Sequence, residues 1–268
     1  MADFKLAEAE FGRQAQILEA LLETIELVGQ QDETSPTVIA GKPVEPLPPG
    51  GQNTMAAAAV VLLAAHFEEY IRQQIEEFAK STISEYAHMD RDQQEKLVDH
   101  YWRAGSGRMG RIRPKGDPAW ASGAQRLLLQ LLEYPIRQNI SAFIAGMLAE
   151  HENNMRWDTI TELTARVGAQ KLADKLFKSS ALKAQIGNPK KDAFAPAIRL
   201  RLNEFYTMRN EIVHSISQSS GIGPTIFRHW IDFFKTFSVA FADAVEACYV
   251  DFADRIKRNK EKLASAGT

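Results

Sequence analysis

The run from Met55 to Ala65, Met-Ala-Ala-Ala-Ala-Val-Val-Leu-Leu-Ala-Ala, is apolar on nearly every side of a helix. A segment with no face to offer water predicts a central position, with other helices packed around it. Its alanines let those neighbours approach closely. The run is well short of the ~20 residues that cross a bilayer, so it reads as a buried helix rather than a membrane span. The helical pattern covers 53–80, and its second half, His66-Phe-Glu-Glu-Tyr-Ile-Arg72, turns amphipathic and more exposed.

The rest of the chain keeps the same period. Residues 3–29 place Phe4, Phe11, Ile17, Leu18, Leu21, Leu22, Ile25 and Val28 at three- and four-residue spacings with acids between. Residues 32–53 then hold Pro36, Pro43, Pro46, Pro48 and Pro49 and end in Pro-Gly-Gly, which excludes a helix or central strand. Helical pattern returns at 90–104, 120–150, 157–167, 169–178, 193–217 and 224–260. Breaks are expected at Gly168, Gly187-Asn188-Pro189 and Gly221-Ile222-Gly223-Pro224. No stretch alternates as a half-buried strand does. The expected fold is all-α, with an N-terminal amphipathic helix (1–30), a Pro-rich linker (31–53) and a helical domain (54–262). The sequence leaves open whether the first helix packs on the main body, swaps onto a partner subunit or stands apart as an arm.

Composition narrows the function. With 45% hydrophobic and 25% charged residues the chain reads as a globular protein, and a net charge of −2 excludes coating nucleic acid by bulk electrostatics. Any nucleic-acid contact has to be local. Cys248 is the lone cysteine, which rules out an internal disulfide and a thiolate-rich zinc site. The early residues carry acids where a secretory leader carries bases. A cytoplasmic setting is expected, without membrane attachment. His66, His88, His100, His151 and His229 show no metal-ligand spacing, so neither metal nor cofactor is expected.

Chemistry concentrates in 199–217, Arg-Leu-Arg-Leu-Asn-Glu-Phe-Tyr-Thr-Met-Arg-Asn-Glu-Ile-Val-His-Ser-Ile-Ser. On a helix turning about 100° per residue, Arg209 and His214 stand about 140° apart, with Asn210 between them, so all three can line one cleft. Arg209 supplies a permanent forked cation suited to a phosphate, and His214 can exchange protons near neutral pH. Such a pair can cleave RNA without metal. Histidine activates the ribose 2′-OH or protonates the leaving oxygen, arginine stabilises the charge building on phosphorus, and Asn210 orients the histidine. Tyr206, three residues earlier, is expected to pack into the core.

Arg209-Asn210 followed by three residues and His214, with Leu-Asn-Glu-Phe before and Ser after, resembles the R-x(4–6)-H signature of HEPN ribonucleases. It is most similar to the RiboL-PSP-HEPN group, in which an Ala/Leu-rich helix carrying an acid precedes the motif helix by over a hundred residues. The segment 64–72 resembles that earlier helix, and the resemblance implies Glu68, ahead of Glu69, as the acid supporting the arginine. It also implies a HEPN-like bundle with extra helices and a homodimer in which two motif helices face each other across one cleft. The implied activity is a metal-independent endoribonuclease in toxin–antitoxin, antiviral or stress systems, with an antitoxin or defence protein as partner. The family includes members without nuclease activity, so the alternative is a silent helical module that binds RNA, a nucleotide or a protein. A further reading is a nuclease subunit of a larger defence assembly, onto which the N-terminal helix docks.

Residues 101–120 form the chain's one marked basic patch. Arg103, Arg108, Arg111, Arg113 and Lys115 stand between Trp102 and Trp120 on what reads as a flexible, Gly-rich loop. Cations beside aromatics suit an RNA backbone and its stacked bases. Gly105-Ser-Gly107-Arg-Met-Gly110 matches GxGxxG, but no strand precedes it, which removes the dinucleotide reading. Phe227, Trp230, Phe233, Phe234, Phe237 and Phe241 form an aromatic stripe expected in the core or at a dimer interface. Arg255 to Lys262 reads as a solvated helix end.

Overall fold

The computed structural model describes residues 2–29, 38–39, 42–43, 50–113, 119–214 and 223–266. Three long helices make its frame: α1 (Phe4–Gly29), α2 (Gly51–Ser84) and α10 (Pro224–Ala266). Between α2 and α10 the chain runs through α3 (Arg91–Arg111), α4 (Ala119–Arg137), α5 (Ala145–Leu148), α6 (Trp157–Arg166), α7 (Leu172–Leu176), α8 (Ser180–Gln185) and α9 (Lys191–His214). The fold is all-α. Besides short 3-10 turns, the remaining regular structure among the described residues is an antiparallel pair of two-residue strands, β1 (Val38–Ile39) and β2 (Lys42–Pro43), within the Pro-rich stretch.

The apolar run of α2 lies at the centre. Ala56, Ala59, Val60, Leu63 and Ala64 are fully buried, and α2 packs against α1, α5, α9 and α10. At 34 residues the helix is longer than its apolar run predicts, and by length and composition it passes the test for a membrane span. Its packing is that of a bundle's central helix. Below the alanines, Phe67 sits with its ring centroid 4.5 Å from that of Phe234 and 5.5 Å from that of Phe237. Each such ring contact adds about 0.5–1.5 kcal/mol to the burial itself. The aromatic stripe of α10 is thus core within one chain.

The first helix lies along α2 and α10. Phe4, Phe11, Ala15, Leu18, Leu22 and Ile25 recur at helical spacing and are buried there. Gln74, buried on α2, donates to the Phe4 carbonyl at 2.7 Å and pins the start of α1. Ion pairs Lys5–Asp243, Glu19–Lys235 and Glu26–Arg228 run along the α1–α10 seam. Each is at least partly solvent-exposed and contributes little, so apolar burial holds the helix in place.

Four boundaries differ from the sequence reading. The basic segment is no loop, because α3 continues through Gly105, Gly107 and Gly110 to Arg111. The expected helix over 120–150 breaks after Arg137, where Gln138 turns left-handed at φ 56°. The segment 169–178 shrinks to the short α7, and α8 follows it where no helix was expected. The breaks at Gly168 and Gly187 stand, both with φ near 80°, a conformation only glycine adopts without strain.

Candidate active site

Packing fixes α9 up to Tyr206. Phe205 and Tyr206 are fully buried, and the Phe205 ring lies 4.5 Å from Phe234 and 5.1 Å from Trp230. One turn earlier, the Arg201 guanidinium covers the Trp230 ring at 4.0 Å. The base of the motif is therefore part of the core, and Tyr206 packs there as its spacing predicted.

The next turn holds Arg209 and Asn210, both half-buried. Arg209 Nη1 donates to Asn210 Oδ1 at 3.3 Å, and the same oxygen accepts from Asn154 Nδ2 at 3.2 Å. Asn210 thus bonds the arginine, and among the described hydrogen bonds it shares none with His214, which the sequence reading had it orient. Asn154 lies on the turn before α6, and nothing in its sequence context tied it to residue 210. Its carbonyl accepts from the Thr159 hydroxyl at 3.0 Å, which steadies the turn. A parallel link lies two turns back, where Arg156 donates to Asn203.

Glu68, on α2, faces the same region. Glu69 is closed by Arg72 through bonds of 2.6 and 2.7 Å, which leaves Glu68 as the acid turned toward α9. Its Oε1 is buried without a hydrogen-bond partner, and so are the Tyr206 hydroxyl and Arg209 Nε. Burial first, then the negative charge of Glu68, pushes the Tyr206 phenol well above its ordinary range, while Arg209 pulls the other way. Both charged groups therefore lie close enough to act on one buried hydroxyl. No ion pair joins Glu68 to Arg209 among the described residues, so the expected clasp is not closed within one chain.

His214 is the last residue of α9 and is exposed. It lies about 7.5 Å further along the helix axis than Arg209, at 1.5 Å per residue. Among the described residues, clefts of about 230 to 320 Å³ open along α3, beside α4 and at the start of α7, and Arg209, Asn210 and His214 line none of these. The arginine and asparagine are brought together, whereas the histidine stands on the surface beyond them.

The basic residues of α3 are a different case. Arg103 bonds Asp99 at 2.9 Å, Arg108 bonds Glu150 at 2.9 Å, and Arg111 bonds Glu150 and Glu152. Arg113 follows the helix and is exposed, and Lys115 lies outside the described residues. Helical geometry gathers the arginines toward the turn at 150–152, which supplies the carboxylates. Gly105 makes the crossing possible, since a Cβ there would lie 2.1 Å from Leu131 Cδ2 on α4. Of the remaining histidines, His100 and His151 line one cleft, and among the described residues no group of three or more His, Cys, Asp or Glu is arranged to hold a metal.

A family model described as RiboL-PSP-HEPN matches residues 23–247, from the last turns of α1 to the middle of α10. No curated protein matches the chain, and no solved structure does.

Proposed function

The chain belongs to the RiboL-PSP-HEPN family, and from that premise we propose that it is a metal-independent endoribonuclease acting as a homodimer, with Arg209 and His214 as its catalytic residues. The observation that carries this reading is Arg209, which forms no ion pair among the described residues and has Nε buried without a partner. A guanidinium closed by no ion pair attracts a phosphate, and the exposed His214 beyond it suits a cleft closed by a second copy of the helix.

In that cleft one His214 withdraws the proton of the ribose 2′-OH, and the 2′-oxygen attacks phosphorus. The bond to the 5′-oxygen breaks, and that leaving oxygen takes a proton from water. The products are a 2′,3′-cyclic phosphate and a 5′-hydroxyl. Arg209 stabilises the added charge on the phosphoryl oxygens, Asn210 holds Arg209 in place, and Glu68 supports it through the buried Tyr206 region. The setting we infer from the family is a toxin–antitoxin or antiviral system, with an antitoxin or defence protein as partner.

Purified protein mixed with RNA in EDTA is expected to produce fragments ending in cyclic phosphate. Arg209→Ala and His214→Ala are expected to abolish them. The second reading, a module that binds RNA, a nucleotide or a protein without cutting, rests on His214, which stands exposed at the end of α9 and shares no hydrogen bond with Arg209 or Asn210 among the described residues. Intact RNA with the wild-type dimer would favour it.

A further inference from the structure

A cleft of about 230 Å³ opens where the start of α7 packs against α10. Three cations line it: Lys171, which precedes α7, and Arg255 and Arg258 on α10. The two arginines are three residues apart, so one turn of α10 presents both on the same side. Lys171 holds a left-handed backbone at φ 59° and ψ 35°, where glycine sits without strain. The chain carries a lysine there, and its side chain faces the cleft.

These cations are open, unlike those of α3. Among the described residues none of the three forms an ion pair, because the nearest carboxylates are taken by other lysines. Asp251, in the cleft wall, is bonded by Lys175 at 2.6 Å, and Asp174, one turn from Lys171, by Lys191 at 2.9 Å. The Lys175 bond holds the Asp251 carboxyl below its ordinary range, and Arg255 and Lys178 act on it in the same direction. Asp254 is then the one unpaired carboxylate of the lining, against three positive charges.

The walls are also fixed. Arg255 Nη2 donates to the Gly168 carbonyl at 3.3 Å, a neutral acceptor that holds the guanidinium without cancelling its charge, and its Nε is buried without a partner. Cys248, almost fully buried in the floor, donates to the Gln170 carbonyl at 3.2 Å. Burial pushes its thiol up to about 11, so at pH 7 the floor adds no negative charge. No aromatic ring lines the cleft, which offers charge and hydrogen-bond donors rather than a face for stacking.

We infer that this cleft is a binding site for a phosphate dianion, either the free ion or the terminal group of a small phosphate ester. Two forked guanidinium groups and an ammonium can share the oxygens of one tetrahedral anion, and a doubly charged one answers their surplus. The site is separate from Arg209 and His214 and does not depend on the nuclease reading.

Titration calorimetry at constant ionic strength and about pH 8, where phosphate monoesters carry two charges, tests it. Inorganic phosphate and ribose 5-phosphate are expected to bind, and singly charged dimethyl phosphate about tenfold or more weakly. Equal affinity for the first two marks the free ion as sufficient, and tighter ribose 5-phosphate marks an ester; both support the site. Arg258→Gln and Lys171→Gly are each expected to weaken binding about tenfold or more. Neither lowers Tm, since Arg258 is exposed and glycine suits the backbone of residue 171. Asp254→Asn is expected to tighten binding about threefold. Lys257→Gln removes an exposed cation of α10 outside the lining and is expected to leave binding within about twofold of wild type. Absence of phosphate binding by wild type overturns the inference, and so does a loss in Lys257→Gln as large as that in Arg258→Gln.

Discussion

Two helices carry the arginines that sequence nominated for RNA, and they differ in what already holds those arginines. On α3, Arg103, Arg108 and Arg111 are each closed by a carboxylate of this chain. On α9, Arg209 bonds only the neutral Asn210 among the described hydrogen bonds, and its Nε is buried without a partner. A closed arginine gives shape and an open one gives charge. The difference separates an arginine that forms no ion pair among the described residues, at the motif, from a charge-matched surface along α3, although α3 has the greater number of cations.

The largest effect that would break this contrast is catalytic. Arg209→Ala and His214→Ala are each expected to lower cleavage by about 10²–10⁴-fold, the range for losing an acid–base group or a charge-stabilising donor. Arg103→Ala is expected to stay within about tenfold of wild type in the same assay. Equal losses at both positions would erase the distinction.

Stability offers the next test, using two glycines of α3 that face different surroundings. Gly105→Ala drives a methyl into Leu131 and is expected to cost about 1–3 kcal/mol, read as a lower Tm. Gly107→Ala meets only Glu152 Oε1, at an ordinary contact distance of 3.7 Å, and is expected to gain about 0.5–1 kcal/mol from helix propensity. The same substitution two residues apart thus changes sign.

A smaller effect is expected at Tyr206, whose hydroxyl is buried without a partner. Removing an unsatisfied polar group is neutral or stabilising, so Tyr206→Phe is expected to change stability by between zero and about +1 kcal/mol in urea unfolding. A loss above ~1 kcal/mol would mean that the hydroxyl is hydrogen-bonded and that Glu68 and Arg209 meet through it. Smallest is the salt effect. Each phosphate neutralised on a single strand contributes about −0.7 to the slope of log affinity against log salt. Arg209→Ala is expected to reduce the slope by about that amount, and Arg103→Ala to leave it unchanged.

What the sequence disclosed follows from the range of the forces involved. The central place of Met55–Ala65 was readable because a helix apolar on every side has one stable environment. The burial of Phe205, Tyr206 and the α10 aromatics was readable from their spacing. The course of α3 was not, since Gly105, Gly107 and Gly110 argue locally for a loop. The helix persists because Gly105 admits Leu131 and because Arg108 and Arg111 find carboxylates some forty residues away in the chain. Asn154 escaped notice for the same reason. Its bond to Asn210 spans 56 residues, and no periodicity records such a contact. The nearness of Arg209 and Asn210 was legible from their adjacency on one helix, but the bond from Asn154 to Asn210 was not.

The central claim is that Arg209 and His214 work across a pair of chains. Mixing Arg209→Ala protein with His214→Ala protein tests it directly, once subunit exchange has been verified by mass. Each variant alone lacks one group, but a mixed dimer carries one intact arginine and one intact histidine on opposite chains. The account predicts that cleavage returns in proportion to the mixed dimer. Mixed dimers that form and stay inactive, beside a wild type that cuts, would contradict it.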